Sequence, residues 1–437
     1  MIDLTAKTLA LFTCLALLLR LPVRLALLRT VAAALAGLFL LNLAITFEAP
    51  AFNFDFNLFY DVGLDVRAGL DPYAPGPFDE HPFLNPPTAL PLFALFATLP
   101  RAVSGFLWTV ANVLACFALV ALAARVLAGR RSAAGTGRAG GEGTGTILVG
   151  LTAVFVISDG ALSNFFTGQL SILTALALLL ALRARDRRQP IRAGVWLAIA
   201  TVKTTTMLPF LLLFSRRSDR RTWLALAAVT AGLCLLTIPL PEMPSRITSL
   251  LGHVSELSAP GRVNDYSFEG TQHVSLLGFD HALYCLGVRD RGLVQVGQLL
   301  ATVLLGGWVA GHVLGRHHLP RAAAYSLVAL FATVFLYHRL YDTVVLALPL
   351  AYCVFRARVT RGITRGLFIA ITLATMTVLF LSLNALSDTF QFSLGAGTFG
   401  RLLQAVVLPI ATWLIVLAMF GLVAAERARR PAATGRD

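Results

Sequence analysis

The chain has 437 residues, of which 57% are hydrophobic and 13% charged, with a formal net charge of +14. A mean hydropathy of +0.76 excludes a soluble globular protein, whose charged share would be about 25%. The positive charge would suggest nucleic acid in a soluble chain. Here 27 of the 36 Lys and Arg sit in seven short stretches between long apolar runs. Membrane topology places such residues against the cytoplasm and anionic lipid, so no nucleic-acid partner is expected.

The first apolar stretch, Lys7 to Arg24, lacks a small-residue cleavage site and reads as an interfacial helix, not a signal peptide. The first span is expected over 30–47, its start held in the cytoplasm by Lys7, Arg20, Arg24 and Arg29. Seven of the 22 Asp and Glu then fall between Glu48 and Glu80, making the following outer loop acidic. Residues 88–99 are apolar but fenced by Pro86, Pro87 and Pro100, and a crossing needs about 20 residues, so a partial helix on the outer face is expected.

Further spans are expected over 103–127, 146–160, 165–182, 222–239, 292–314, 322–337, 341–355, 366–386 and 402–424. The Gly-rich stretch 128–146 reads as a flexible cytoplasmic loop. Segment 193–214 has Arg-rich flanks at both ends, so one crossing would break the charge rule; two half-helices bent near Lys203 would restore it. The expected whole is one all-α polytopic integral membrane domain over 1–437, a bundle of roughly 10–12 transmembrane or partial helices. Both termini are then cytoplasmic, and the outer regions are 48–102, 159–164, 240–291 and 387–401. The five Cys lie almost all in apolar segments without paired or metal-type spacing, so neither a disulfide framework nor a metal site is expected.

Three clusters carry chemistry. In Phe52-Asn53-Phe54-Asp55-Phe56-Asn57-Leu58-Phe59-Tyr60-Asp61, aromatic residues set the Asp55 carboxylate at the membrane surface, where it can act as a general base on a lipid-borne hydroxyl. A solvated loop with an aromatic belt is the alternative. Asp61, Asp65, Asp71 and Asp79 read as solvated or paired. Lys203 is one of only two lysines beside 34 arginines and lies mid-segment in Ala-Thr-Val-Lys-Thr-Thr-Thr. An ionisable group there costs about 2.5–3.5 kcal/mol on insertion scales, which marks a substrate pathway with phosphate as a natural partner. Tyr337-His338-Arg339-Leu340-Tyr341-Asp342 combines a proton-sharing His with an Arg suited to phosphate, although Arg339 and Asp342 could pair within one turn. Gly168-Gln169 opens a span at the same face, and Asn264 lies on a plausible second lip of the cavity. His317 and His318 read as solvated.

In this order the motifs resemble bacterial polyprenyl-phosphate-sugar dependent glycosyltransferases of family 87, within the GT-C membrane superfamily. The resemblance is carried by Asp55 to Tyr60, Gly69, Pro72-Tyr73, Gly168-Gln169, Lys203, and Tyr341-Asp342 with Leu348-Pro349. Asn85-Pro86-Pro87 departs from the family's Tyr-Pro-Pro at its first position. The resemblance implies a multi-pass enzyme of the bacterial inner membrane that works on the periplasmic face. It would transfer one sugar, most often mannose, from a polyprenyl monophosphate donor to a lipid-linked or glycan acceptor with inversion. That is hexosyltransferase chemistry without a cofactor or metal. Asp55 is then the expected base and His338 a proton-sharing or phosphate-binding partner. Lys203 and Arg339 would hold the donor phosphate, and Tyr60, Gln169, Asn264, Tyr341 and Asp342 would contact sugar or acceptor. A lipid-linked sugar flippase or transporter would share the broken helices but should show an internal repeat, which is not seen. A glycan polymerase would be expected to rely on outer-loop arginines, whereas these outer loops are mainly acidic.

Overall fold

The computed structural model describes residues 13, 37, 52–74, 82–128, 139–270, 275–315, 318–380 and 405–429, with backbone alone for 127, 128 and 139–146. Apart from residues 13 and 37, the expected interfacial helix and the span 30–47 lie outside them, as do Asp79, His317, the outer region 387–401 and the outermost terminal residues. The described chain is mostly helical, and its sheet is one antiparallel pair of two-residue strands. That follows from the apolar runs, since a backbone in lipid must satisfy its own hydrogen bonds. Among the described residues six helices are long and apolar enough to cross a membrane, or up to eight if each bent pair is one span.

In chain order these are α1 (Phe54–Arg67), α2 (Leu90–Phe96, after a 3₁₀ turn at Pro87–Ala89), α3 (Arg101–Ala128), α4 (Ala139–Val156), α5 (Asp159–Thr167) and α6 (Ser171–Asp186). Next come α7 (Pro190–Ala200), α8 (Thr204–Met207), α9 (Arg220–Leu235), α10 (Met243–Leu257), β1 (Leu276–Leu277), α11 (Phe279–Cys285) and α12 (Arg291–Leu314). The chain continues through α13 (Arg321–Ala332), β2 (His338–Arg339), a 3₁₀ stretch Leu340–Leu346, α14 (Ala347–Val359), α15 (Gly362–Phe380) and α16 (Ile410–Ala428).

Two sequence expectations need correction. The stretch 128–146 is not loop throughout, because α4 already begins at Ala139. The expected spans 146–160 and 165–182 are three helices: α4 and α5 meet at 53°, with the Ser158 hydroxyl accepting from Ala161 N at the start of α5, and Gly168 ends α5 in a left-handed turn. Polar residues mark both breaks, Ser158-Asp159 and Thr167-Gly168-Gln169, and the expected outer region 159–164 falls within α5.

Contacts along α6 sort the bundle into two ends. Lys203 Nζ donates to Ser171 Oγ at 2.7 Å, at the start of α6. At its far end, Gln189 N donates to Ala184 O at 2.9 Å, the Arg185 guanidinium lies 5.3 Å from the Phe214 ring centroid, and Asp219 is 3.8 Å from Arg185. Pro190–Phe214 is long and apolar enough to be one span; yet both its ends lie at one end of α6 and Lys203 lies at the other. The segment therefore rises along α7 and returns, bending where Lys203 leaves helical geometry at φ −133°, ψ 78°. Gly194 lets α7 and α9 close up, since a Cβ there would collide with Thr222 O and Ala225 Cβ. Asp186 also meets Tyr325 at 2.8 Å and Arg321 at 3.6 Å, which brings the arginine-rich starts and ends of helices to one side and the Lys203 bend to the other.

Candidate active site

The site is assembled from four segments at the end opposite the arginine-rich one. The first is α1, which starts at Asn53 in a left-handed conformation, its N–H donating to Phe166 O at 2.7 Å. Phe56 and Phe59 of this segment face inward, Phe56 stacking on Trp108 at 5.3 Å and Phe59 on Phe93 at 4.5 Å, whereas Phe54 is exposed. Each such pair contributes about 0.5–1.5 kcal/mol beyond its burial. The alternative of a solvated aromatic belt is thus set aside for these residues. Trp108 Nε1 donates to Gly168 O at 2.8 Å, tying α1 and α3 to the turn that opens α6. Gly168 has φ +75°, and a Cβ there would stand 2.6 Å from Phe56 Cβ; only glycine fits.

That turn brings the second segment to the first. Gln169 Nε2 donates to Asp55 Oδ2 at 2.7 Å. Burial pushes the Asp55 carboxyl above the ordinary range, opposed by hydrogen bonds from Gln169 and Thr167 and by the positive charges of Arg339 and Lys203. Asp55 is half-buried: protein atoms crowd it, yet part of its surface faces outward. A base needs this combination of raised proton affinity and access.

The third and fourth segments meet at Asp342, which is 3% exposed. Its Oδ1 takes Lys203 Nζ at 2.6 Å and Ser171 Oγ at 2.7 Å; its Oδ2 faces His338 Nδ1 at 3.0 Å and accepts from Arg339 N at 3.2 Å. Lys203 also lies 4.2 Å from the Tyr341 ring centroid, and Asn164 Nδ2 donates to Tyr341 O at 2.7 Å. His338 is fully buried, and its Nε2 has no hydrogen-bond partner among the described residues. Arg339 sits on β2, paired with β1 through Leu276. Its guanidinium meets Tyr337 OH at 2.5 Å, Asn264 Oδ1 at 2.7 Å and Val263 O at 2.9 Å.

Eight of the nine residues singled out in the sequence thus join one network: Asp55, Gln169, Lys203, Asn264, His338, Arg339, Tyr341 and Asp342. Tyr60 does not. Five positions after Asp55, at about 100° per residue, it points elsewhere: its hydroxyl donates to Leu99 O at 2.7 Å and Arg101 lies 4.7 Å over its ring. Three of these residues have partners that the sequence did not give them. Lys203 is no isolated cation, because a charge at that depth needs a counter-charge and Asp342 supplies it. Arg339 reaches Asp342 through its backbone N–H, leaving the guanidinium to the Asn264 side. Asn264 holds Arg339 and Tyr337 through the same oxygen.

Ser171, Asn164 and Tyr337 were not given roles in the sequence reading. Ser171, two residues after Gln169, was the one with a usable signal: a polar group on the first turn of an apolar span. Among the described residues no three His, Cys, Asp or Glu are grouped so as to hold a metal ion.

A family model described as glycosyltransferase family 87 matches residues 83–337, more than half of the chain. The chain belongs to glycosyltransferase family 87. No curated protein and no solved structure matches it. Membership makes it a membrane glycosyltransferase, with a sugar donor and an acceptor as substrates. The family match contains Gln169, Lys203 and Asn264, whereas Asp55 and the run from His338 to Asp342 flank it; the fold brings the flanking groups onto the matched ones.

Proposed function

We propose that the protein transfers a single sugar, with mannose the first donor to test, from a polyprenyl monophosphate to a lipid-linked or glycan acceptor. It does so with inversion at the extracytoplasmic face of a bacterial inner membrane. Asp55 carries this reading: a half-buried carboxyl of raised proton affinity, held by Gln169 and Thr167 and facing the charges of Arg339 and Lys203. In the reaction Asp55 takes the proton of the acceptor hydroxyl, the acceptor oxygen bonds to sugar C1, and the C1–O bond to phosphate breaks with its electron pair leaving on the phosphate. Arg339, and Lys203 beside its Asp342 partner, stabilise that charge as fixed positive groups in a water-poor site. Asp342 orients Lys203 and His338, and Tyr341 covers Lys203.

A second reading exchanges the base. His338 Nδ1 is fixed by Asp342 while Nε2 is unpartnered among the described residues, the arrangement by which a carboxylate sets an imidazole to accept a proton. Purified protein in nanodiscs, supplied with radiolabelled polyprenyl-phosphate mannose, arabinose and glucose and a lipid extract, tests the reading. Transfer from one donor, with inverted anomeric configuration in the product, is expected. Movement of labelled lipid between leaflets with no transfer from any donor would favour a flippase.

A further inference from the structure

We infer that α10 (Met243–Leu257) is an interfacial helix whose Ile247, Leu251 and Val254 stripe is seated in the membrane leaflet on the site side, so that the lipid surface sets the position of the segments carrying Asp55 and Arg339. The helix leaves α9, which lies in the span expected over 222–239, at a bend of 95°. A helix at right angles to a crossing one lies along the membrane plane.

Its residues divide into three faces at 3.6 residues per turn. Met243, Arg246, Leu250, His253 and Leu257 turn toward the protein and are buried or half-buried. Ser245, Thr248, Gly252 and Glu256 are exposed and small or polar. Between these faces runs the apolar stripe, with Ile247 42%, Leu251 63% and Val254 43% exposed. A helix docked on protein, with one flank in lipid and the other in water, needs this three-way division. Leu236 and Leu240, where α9 ends and the chain turns, are also 74% and 70% exposed. Outward-facing leucines of a crossing helix meet acyl chains, and the α10 stripe extends that apolar surface into the plane.

Both ends of α10 reach the site. Met243 and Leu250 pack on the aromatic cluster containing Phe56 and Phe59 of α1, and Arg246 pairs with Asp71 of the first outer region. Beyond Leu257 the chain runs six residues to Val263 and Asn264, which hold Arg339. A leaflet-anchored α10 thus fixes both sides of the cluster relative to the lipid surface.

The test needs no assumption about the reaction. Ile247→Trp, Leu251→Trp and, as the water-facing control, Gly252→Trp are reconstituted in phosphatidylcholine vesicles with acyl chains brominated near the headgroup. Gly252 is suited to this because nothing lies within 4 Å of a Cβ built there. The emission that each substitution adds over wild type is then quenched by lipid or by aqueous acrylamide. The inference expects the added emission at positions 247 and 251 to be quenched several-fold more by brominated lipid than that at 252, and less by acrylamide. Equal acrylamide quenching at all three positions, or no lipid quenching at position 251, overturns it. Either result stands whether or not the protein transfers sugar from polyprenyl phosphate.

Discussion

Replacing Asp342 by Asn removes the negative charge from the centre of the cluster while keeping its shape. The side chain is 4% exposed and that of Lys203 13%, so the lysine ammonium, 2.6 Å away, would be left without its counter-charge in a place where water cannot replace it. Loss of one partner of a buried pair costs about 3–5 kcal/mol. The amide keeps an oxygen for the Ser171 hydroxyl, which places Asp342→Asn toward the lower end and Asp342→Ala toward the upper. Removing both charges, as in Lys203→Met with Asp342→Asn, relieves the uncompensated charge, so the double variant should be more stable than the two single losses sum to. Thermal unfolding in one detergent at one scan rate, followed by fluorescence, provides the comparison. A coupling of about 0.5–3 kcal/mol is expected. A melting midpoint for Asp342→Asn equal to wild type, or strict additivity in the double variant, would refute the pairing.

Other outcomes follow from the same geometry. Burial raises the Asp280 carboxyl to about 6; the fold then binds this proton more tightly than the unfolded chain does, so its contribution is fully present below about pH 4 and is lost as pH rises through about 6. Asp280→Asn should therefore flatten the fall in melting temperature over that window, and an unchanged slope would contradict the assignment. Gly168→Ala meets a left-handed backbone, costing about 1–2 kcal/mol, as well as the Phe56 contact, so thermal stability and transfer should fall together. Tyr60→Phe loses one hydrogen bond, worth about 1 kcal/mol, and should leave transfer intact; a loss of about tenfold or more in kcat/KM would return Tyr60 to the site.

The sequence revealed charge sorting, the helical membrane class and the bend at Lys203, because those are imposed by solvent: arginines mark one face, and a lone lysine among apolar residues has to be accounted for. It placed an outer region at 159–164 but did not reveal that this stretch is the helix α5, nor the partnership of Lys203 with Asp342, which lie 139 positions apart in the chain. Residues on one short motif were assigned together, and for Asp55 and Tyr60 that failed because a helix turns them apart. Asn264 was placed at the site by its loop, but its role as a holder of Arg339 joins residues 75 positions apart, which no local pattern announces. Ser171 carried a signal as a polar group on the first turn of a span, but its partners Lys203 and Asp342 are far from it in the chain.

The most direct test of the central claim is transfer of sugar from labelled polyprenyl phosphate by wild type and Asp55→Asn, with donor binding and melting measured on the same preparations. The account predicts a loss of about 10² to 10⁴ in transfer rate with binding and melting little changed. A folded Asp55→Asn protein that binds donor and turns over near the wild-type rate would contradict it and pass the role of base to His338.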